Sequence, residues 1–253
     1  MKKPKSVRQE RILSELNQSP SLRVAELARR LDVSTETIRR DLDEMTQQGL
    51  LNRTYGGAVR SLSSEPSVTE RHALFVSERE RIARATVPLL KGARVLMIGS
   101  GSTTVHVARR IAVEMKDITV ITHAFGVATV LALNPTIRVM MLPGDYNAIE
   151  GATVGAHTVS FLQNFYADFA LIGASGLGPD GPNDALIECG TVYQSMVARS
   201  ARTIVVADHS KHGRLFPARY AHWRDISQVV TDRAAEGDLA ESLKQSGVAQ
   251  VIC

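Results

Sequence analysis

The sequence predicts an α/β protein in two parts, a small helical head followed by a larger, doubly wound, mostly parallel sheet. Three observations predict it. Before residue 60, apolar residues recur at helical spacing in three short stretches, and two strand-like runs flank a pair of glycines. After residue 77, six short and nearly continuous apolar runs alternate with helical stretches, the pattern of strands buried on both faces and joined by parallel crossovers. Between them, "SLSSEPSVTERHALFVS" is polar at first, carries a proline and sustains no apolar period. The expected organisation is therefore a head over 1–60, a linker over 61–76 and a second domain over 77–253.

In the head, Val7, Ile12, Leu13 and Leu16 mark the first helix, Val24, Leu27, Ala28 and Leu31 the second, and Ile38, Leu42 and Met45 the third. The second ends at Leu31-Asp32 and the third starts at Ser34, a good N-cap, so a tight corner joins them. With Ile38 turned inward, Glu36, Arg40, Asp43 and Gln47 face outward, Thr37 and Arg39 flank them, and Glu36 and Arg40 have the favourable i, i+4 order. "LLNRTYGGAVRS" then reads as strand, Gly56-Gly57 turn, strand.

Charge is uneven along the chain. Residues 1–60 hold 12 of the 30 lysines and arginines but 8 of the 26 acids, so the whole excess of +4 lies there and the remainder is balanced. A polyanion partner for the head follows, unless Lys2, Lys3 and Lys5 are merely a basic tail. A helix held across another by a short turn can enter a major groove, its first side chains on base edges and flanking cations on phosphates. Thr35, Glu36, Thr37 and Arg40 are the base-edge candidates, with Ser34 at the helix start; Arg39, Arg53 and Arg60 are phosphate candidates, and Tyr55 lies along the wing. The competing reading is a helical hairpin that docks another protein.

In the larger part, "RVLMIG", "ITVIT", "IRVMML", "FALIGA", "TIVVAD" and "SQVVTD" are the strands, with helices starting near Thr103, Ala124, Thr153, Glu188 and Ala234. Such a sheet carries its ligand crevice beyond the strand C-termini. "IGSGSTTVHVARRI" places a Gly/Ser/Thr loop between a strand and a helix, where the N–H groups of Gly101 to Thr104 and the hydroxyls of Ser100, Ser102, Thr103 and Thr104 can gather around a phosphate. Small residues also serve plain tight turns. The loop lacks the Gly-Lys-Ser/Thr of a nucleotide P-loop and the dinucleotide glycine pattern, so neither ATP nor NAD is expected as a cofactor. Other strand ends add His123, Gly144, Asp145, Ser175, Gly176, Asp208, His209 and Lys211. Lys211 would supply a point charge to a phosphate and Asp208 would take sugar hydroxyls.

With 253 residues, 44% of them hydrophobic, the chain can bury a large core and a satellite without disulfides. Cys189 and Cys253 form no ligand pattern, and no metal is expected. The basic N-terminus precedes no apolar signal region, and no apolar run is long enough for a bilayer. A soluble, cytoplasmic protein with no membrane partner is the expectation.

The head, from "RQERILSELNQ" through "STETIRRDLDEM" to "YGGAV", strongly resembles the DeoR family of bacterial transcriptional regulators, and "GASGL" and "ADHSKHGR" extend the resemblance over nearly the whole chain. It implies a winged helix-turn-helix on double-stranded operator DNA, most simply as a repressor of a carbohydrate catabolic operon. It also implies a second domain similar to the ribose-5-phosphate isomerase fold that senses a small phosphorylated sugar, in a homodimer or homotetramer. The chain departs from the family pattern at Gly99, where an acid is usual, at Asp145, and at Glu188-Cys189 and Tyr193; Glu188 remains an effector candidate. The alternative function is a sugar-phosphate isomerase or deaminase with an accessory DNA-binding domain, using Asp208, His209 and Glu188 as acids and bases.

Overall fold

The computed structural model describes residues 5–18, 21–47, 51–54, 57–60 and 65–253. The chain divides into a unit ending at Ser64 and a unit from Glu65 to Cys253. In the first, α1 (Lys5–Gln18), β1 (Ser21–Arg23), α2 (Val24–Leu31) and α3 (Thr35–Gln47) are followed by β2 (Leu51–Thr54) and β3 (Gly57–Arg60). Ile12, Leu27, Ile38, Leu42 and Met45 have no exposed surface, each contributing about 1.5–3 kcal/mol through burial. The two strands expected after the helices form an antiparallel hairpin, β2 on β3. An unanticipated third, β1, pairs with the other side of β3.

The second unit opens with α4 (Val68–Arg71), α5 (Val76–Thr86) and a short 3-10 turn at Val87–Leu90. Then come β4 (Val95–Ile98), α6 (Ser102–Glu114), β5 (Thr119–Thr122), α7 (Phe125–Leu131) and β6 (Arg138–Met141). A hairpin of β7 (Asp145–Asn147) and β8 (Ala152–Val154) leads through α8 (Ala156–Leu162) to β9 (Ala167–Ile172). After β10 (Gly176–Gly178) and β11 (Gly181–Asp184) follow α9 (Ile187–Ala198), β12 (Ser200–Val206), β13 (Ala218–Arg219), β14 (Gln228–Thr231), α10 (Gly237–Gln245) and β15 (Ala249–Ile252).

Seven strands form one sheet in the order β15-β14-β12-β9-β4-β5-β6, and every neighbouring pair is parallel. Alternate strand residues feed two cores. Leu96, Val120, Leu171, Ile204 and Val230 pack under α5, α6 and α7, whereas Met97, Ile121, Ala170, Val205 and Val229 pack with residues of α8, α9 and α10. The strand order reverses between β4 and β9, which makes the carboxyl ends of those two strands the switch point where a crevice opens.

Two expectations change. Residues 65–76 are not linker: Ser67 caps α4, accepting from the Glu70 N–H at 3.3 Å while the Glu70 carboxylate accepts from the Ser67 N–H at 2.8 Å, and α5 starts at Val76. Charged residues hide α5, because one of its buried positions is Arg79. The helix expected near Thr153 starts at Ala156, since Ala152–Val154 pairs with β7.

Candidate nucleic-acid interface and anion site

In the head, a short corner fixes the third helix. Asp32 takes a left-handed φ of 55° after α2, and the Val33 N–H donates to the Ala28 carbonyl at 3.1 Å. Ser34 Oγ then accepts from the Thr37 N–H at 3.2 Å and lies 2.8 Å from the Thr37 hydroxyl. Behind the helix, Asp41 is buried and clamped by two bonds from Arg8, 2.5 and 2.9 Å long. In front, Thr35, Glu36, Arg39 and Arg40 are exposed, and Thr37 is half-buried. Glu36 sits 3.3 Å from Arg40 and 4.0 Å from Arg39. Arg53 and Arg60 belong to β2 and β3, but their side chains, and Tyr55 altogether, lie outside the described residues.

In the second unit, a polar cluster fills the switch point. It is lined by Arg71, Ser100 to Thr103, Glu150, Gly173, Ala174, Asp184, Tyr193 and Lys211. Gly101 adopts φ 126°, which lets the chain turn from β4 straight into α6. Ser100 Oγ lies 2.7 Å from the Tyr193 hydroxyl and donates to Glu150 at 3.2 Å. Arg71 binds Glu150 and, at 3.3 Å, Glu65. Lys211 Nζ also donates to Glu65 Oε1. All these charged side chains are nearly buried, so they persist only because they are paired.

Burial sets the protonation of this cluster. It pushes Glu150 up to about 7, against the opposing pull of Arg71. It likewise raises Asp184 to about 6, although the Leu186 N–H and Arg71 favour its anion. Both acids therefore hold or release a proton near neutrality. Burial drives His123 down to about 4; its Nε2 accepts from the Ser100 N–H at 3.1 Å and its Nδ1 meets the Thr153 carbonyl at 2.7 Å. The ring is thus a neutral strut beneath the loop.

The structure brings Ser100, Gly101, Ser102, Thr103 and Lys211 together at the pocket wall, and it places other candidates elsewhere. Thr104 is buried and bonds back to the Gly101 carbonyl at 2.8 Å. His123 has both nitrogens engaged. Gly144 packs so tightly that a Cβ there would sit 2.0 Å from Thr158 Oγ1, and one at Gly176 would meet the Arg214 carbonyl at 2.3 Å. Ser175 reaches the pocket only through Asp184, at 3.3 Å. Glu188 is exposed on α9, away from the lining residues. Asp208 is fully buried, capping the next turn through the Ser210 N–H at 3.1 Å and facing Arg79 at 3.4 Å, and it does not line the pocket. His209 is bound to Asp232 at 2.6 Å.

Sequence reading missed Glu65, Arg71, Glu150 and Asp184. The available signal was an acid and an arginine embedded in a supposed linker, "SEPSVTER", and lone acids in the turns "NAIEG" and "PNDA". The departures at Gly99 and Tyr193 prove to be one packed pair, because a Cβ on Gly99 would lie 2.8 Å from the Tyr193 ring.

Comparison with known proteins follows this division. The DeoR-like helix-turn-helix domain model matches residues 8–64 and the DeoR C terminal sensor domain model residues 75–233. The chain is 30% identical to a glycerol-3-phosphate regulon repressor of Haemophilus influenzae, over 98% of this chain and 97% of that one. It is also 30% identical to the HTH-type transcriptional repressor GlcR of Bacillus subtilis, over 94% and 92%. A ribose 5-phosphate isomerase A of Methanocaldococcus jannaschii is similar over 53% of each chain, with a TM-score of 0.38 and 21% identity.

Proposed function

Because this chain belongs to the DeoR family of DNA-binding transcriptional regulators, we propose that it is a repressor whose hold on its operator is set by a small phosphorylated sugar, or related anionic metabolite, bound at the switch point of the sheet. One observation carries the second half of that reading: two buried cations, Arg71 and Lys211, converge beside the Gly101–Thr103 loop. Cations, loop N–H groups and hydroxyls suit a phosphate, while Glu150 and Asp184, protonated or not, suit sugar hydroxyls. The name of one nearly full-length relative, a glycerol-3-phosphate regulon repressor, supports a regulon concerned with a small phosphorylated metabolite.

On the DNA side, α3 enters the major groove with Thr35, Glu36, Thr37 and Arg40 toward base edges. Arg39, Arg53 and Arg60 hold phosphates, Tyr55 lies on the wing and Ser34 fixes the helix start. A homodimer or homotetramer would set two such helices on half-sites about one helical turn apart. Residues 1–60 read DNA, and the sensing part begins at Glu65 instead of residue 77. The isomerase or deaminase alternative is not favoured: Asp208 and His209 are committed to Ser210, Arg79 and Asp232, and the relatives are named as repressors.

Two titrations test the proposal. A gel shift against the protein's own upstream DNA, at several stated salt concentrations, should show sequence preference throughout. Calorimetry with a panel of sugar phosphates should give saturable binding without turnover. Loss of preference at every salt concentration, or conversion of the ligand, contradicts it.

A further inference from the structure

The pocket is already occupied by an anion of the chain itself. Glu65 inserts its carboxylate between Arg71 and Lys211, and its side chain is only 5% exposed. It does so imperfectly: Oε1 receives both cations, while Oε2 is buried with no hydrogen-bond partner, and so is Arg71 Nε. What remains open is about 20 Å³, space for about one water and far too little for a sugar phosphate. Whatever anion binds must move a side chain first, and Glu65 is the one holding the cations.

Building on the switch-point pocket proposed above, we infer that Glu65 is a tethered stand-in for the ligand's anionic group, competing with it for Arg71 and Lys211. A carboxylate that uses one oxygen leaves a donor and an acceptor unmet, each at a desolvation cost. A phosphoryl group has three oxygens to distribute over Lys211, the full Arg71 fork and the loop N–H groups. Exchange therefore replaces a poor fit by a better one. Competition from within the chain lowers the apparent affinity by the fraction of molecules with Glu65 withdrawn. Position adds a consequence. Glu65 is the first residue of the sensing unit, and only residues 61–64 separate it from Arg60 at the end of β3. Its release is the event at the pocket that lies nearest in the chain to the DNA-reading head, and both arrangements differ in their contacts with the ligand, as linkage requires.

The test uses the full chain and inorganic phosphate. Calorimetric titration of Glu65→Gln should show affinity raised about tenfold or more over wild type, and Lys211→Met should remove binding in both backgrounds. In the unaltered protein, saturating phosphate should speed amide exchange at Ser67 and Val68, whose N–H groups donate to the Glu70 carboxylate and the Ile149 carbonyl, as the segment is released. Equal phosphate affinity of wild type and Glu65→Gln, with Lys211→Met still abolishing it, overturns the role of Glu65 and leaves the pocket standing. Phosphate binding unaffected by Lys211→Met, or no binding to Glu65→Gln, removes the pocket and the inference together. Unchanged or slowed exchange at Ser67 and Val68 on saturation counts against displacement even if the variant fails to fold.

Discussion

The two units handle charge in opposite ways. On α3, Arg40 is 80% exposed and its partner Glu36 is 61% exposed; at the switch point, Glu65, Arg71 and Lys211 are each less than 10% exposed. An exposed pair in water is worth no more than about 1 kcal/mol, so Arg40 is free to exchange Glu36 for a base or phosphate at little cost. A buried pair has surrendered its hydration, and removing one member strands the other at a cost of roughly 3–5 kcal/mol. The head can therefore meet its partner by side-chain movement alone. On the proposal above, the sensing site exchanges one buried anion for another, which would make it selective for charge and able to register the exchange.

Removing a buried cation sharpens this contrast most. Lys211→Met should reduce sugar-phosphate affinity at least a hundredfold while operator affinity without ligand stays within about twofold; loss of both would mean that the two units do not divide the work. Next in size is the base-edge candidate. Arg40→Ala should cost about 1–3 kcal/mol of specific operator affinity with little loss on random DNA, whereas Arg53→Ala should weaken both and flatten the salt slope by about one unit. Equal behaviour of the two variants in anisotropy titrations would erase the distinction drawn between them.

A pH difference separates the buried site from the exposed one. Glu150 titrates near 7 in the folded chain, against an ordinary 4.5, because burial disfavours its charge. Across that window the folded chain keeps a proton that the unfolded chain has lost, so this group makes stability fall as pH rises from 4.5 to 7. Denaturant melts should show wild type losing up to roughly 3 kcal/mol relative to Glu150→Gln over that range; parallel curves would contradict the assignment. Removal of the helix cap has the smallest expected effect, with Ser34→Ala costing about 1 kcal/mol of stability, read by thermal melting.

What sequence made legible follows from the same physics. Five strands of the parallel sheet were visible because burial on both faces forces continuous apolar runs, the edge strand β6 because it is still the apolar run Val139 to Leu142, and α3 because its single buried stripe leaves Ile38, Leu42 and Met45 in period. The seventh strand, β15, escaped notice because its four residues, "AQVI", hold only two large apolar side chains and form no run. The loop at Ser100–Thr103 was readable as a strand-to-helix turn. Arg71 and Glu65 were not, since a site residue in an irregular polar segment has no periodicity to betray it. Asp208 and Glu188 do not line the pocket for a related reason: a place at a strand or helix end does not fix where a side chain points, and these two turn toward Arg79 and toward solvent.

Operator affinity with and without effector, measured by fluorescence anisotropy at one fixed salt concentration for the wild-type chain and for Lys211→Met, tests the whole account most directly. At least one sugar phosphate should shift the wild-type dissociation constant tenfold or more, and the same compound should leave the variant's unchanged. A shift that survives in Lys211→Met, or a panel in which no phosphate alters operator binding, would contradict a regulator switched by an anion at Arg71 and Lys211.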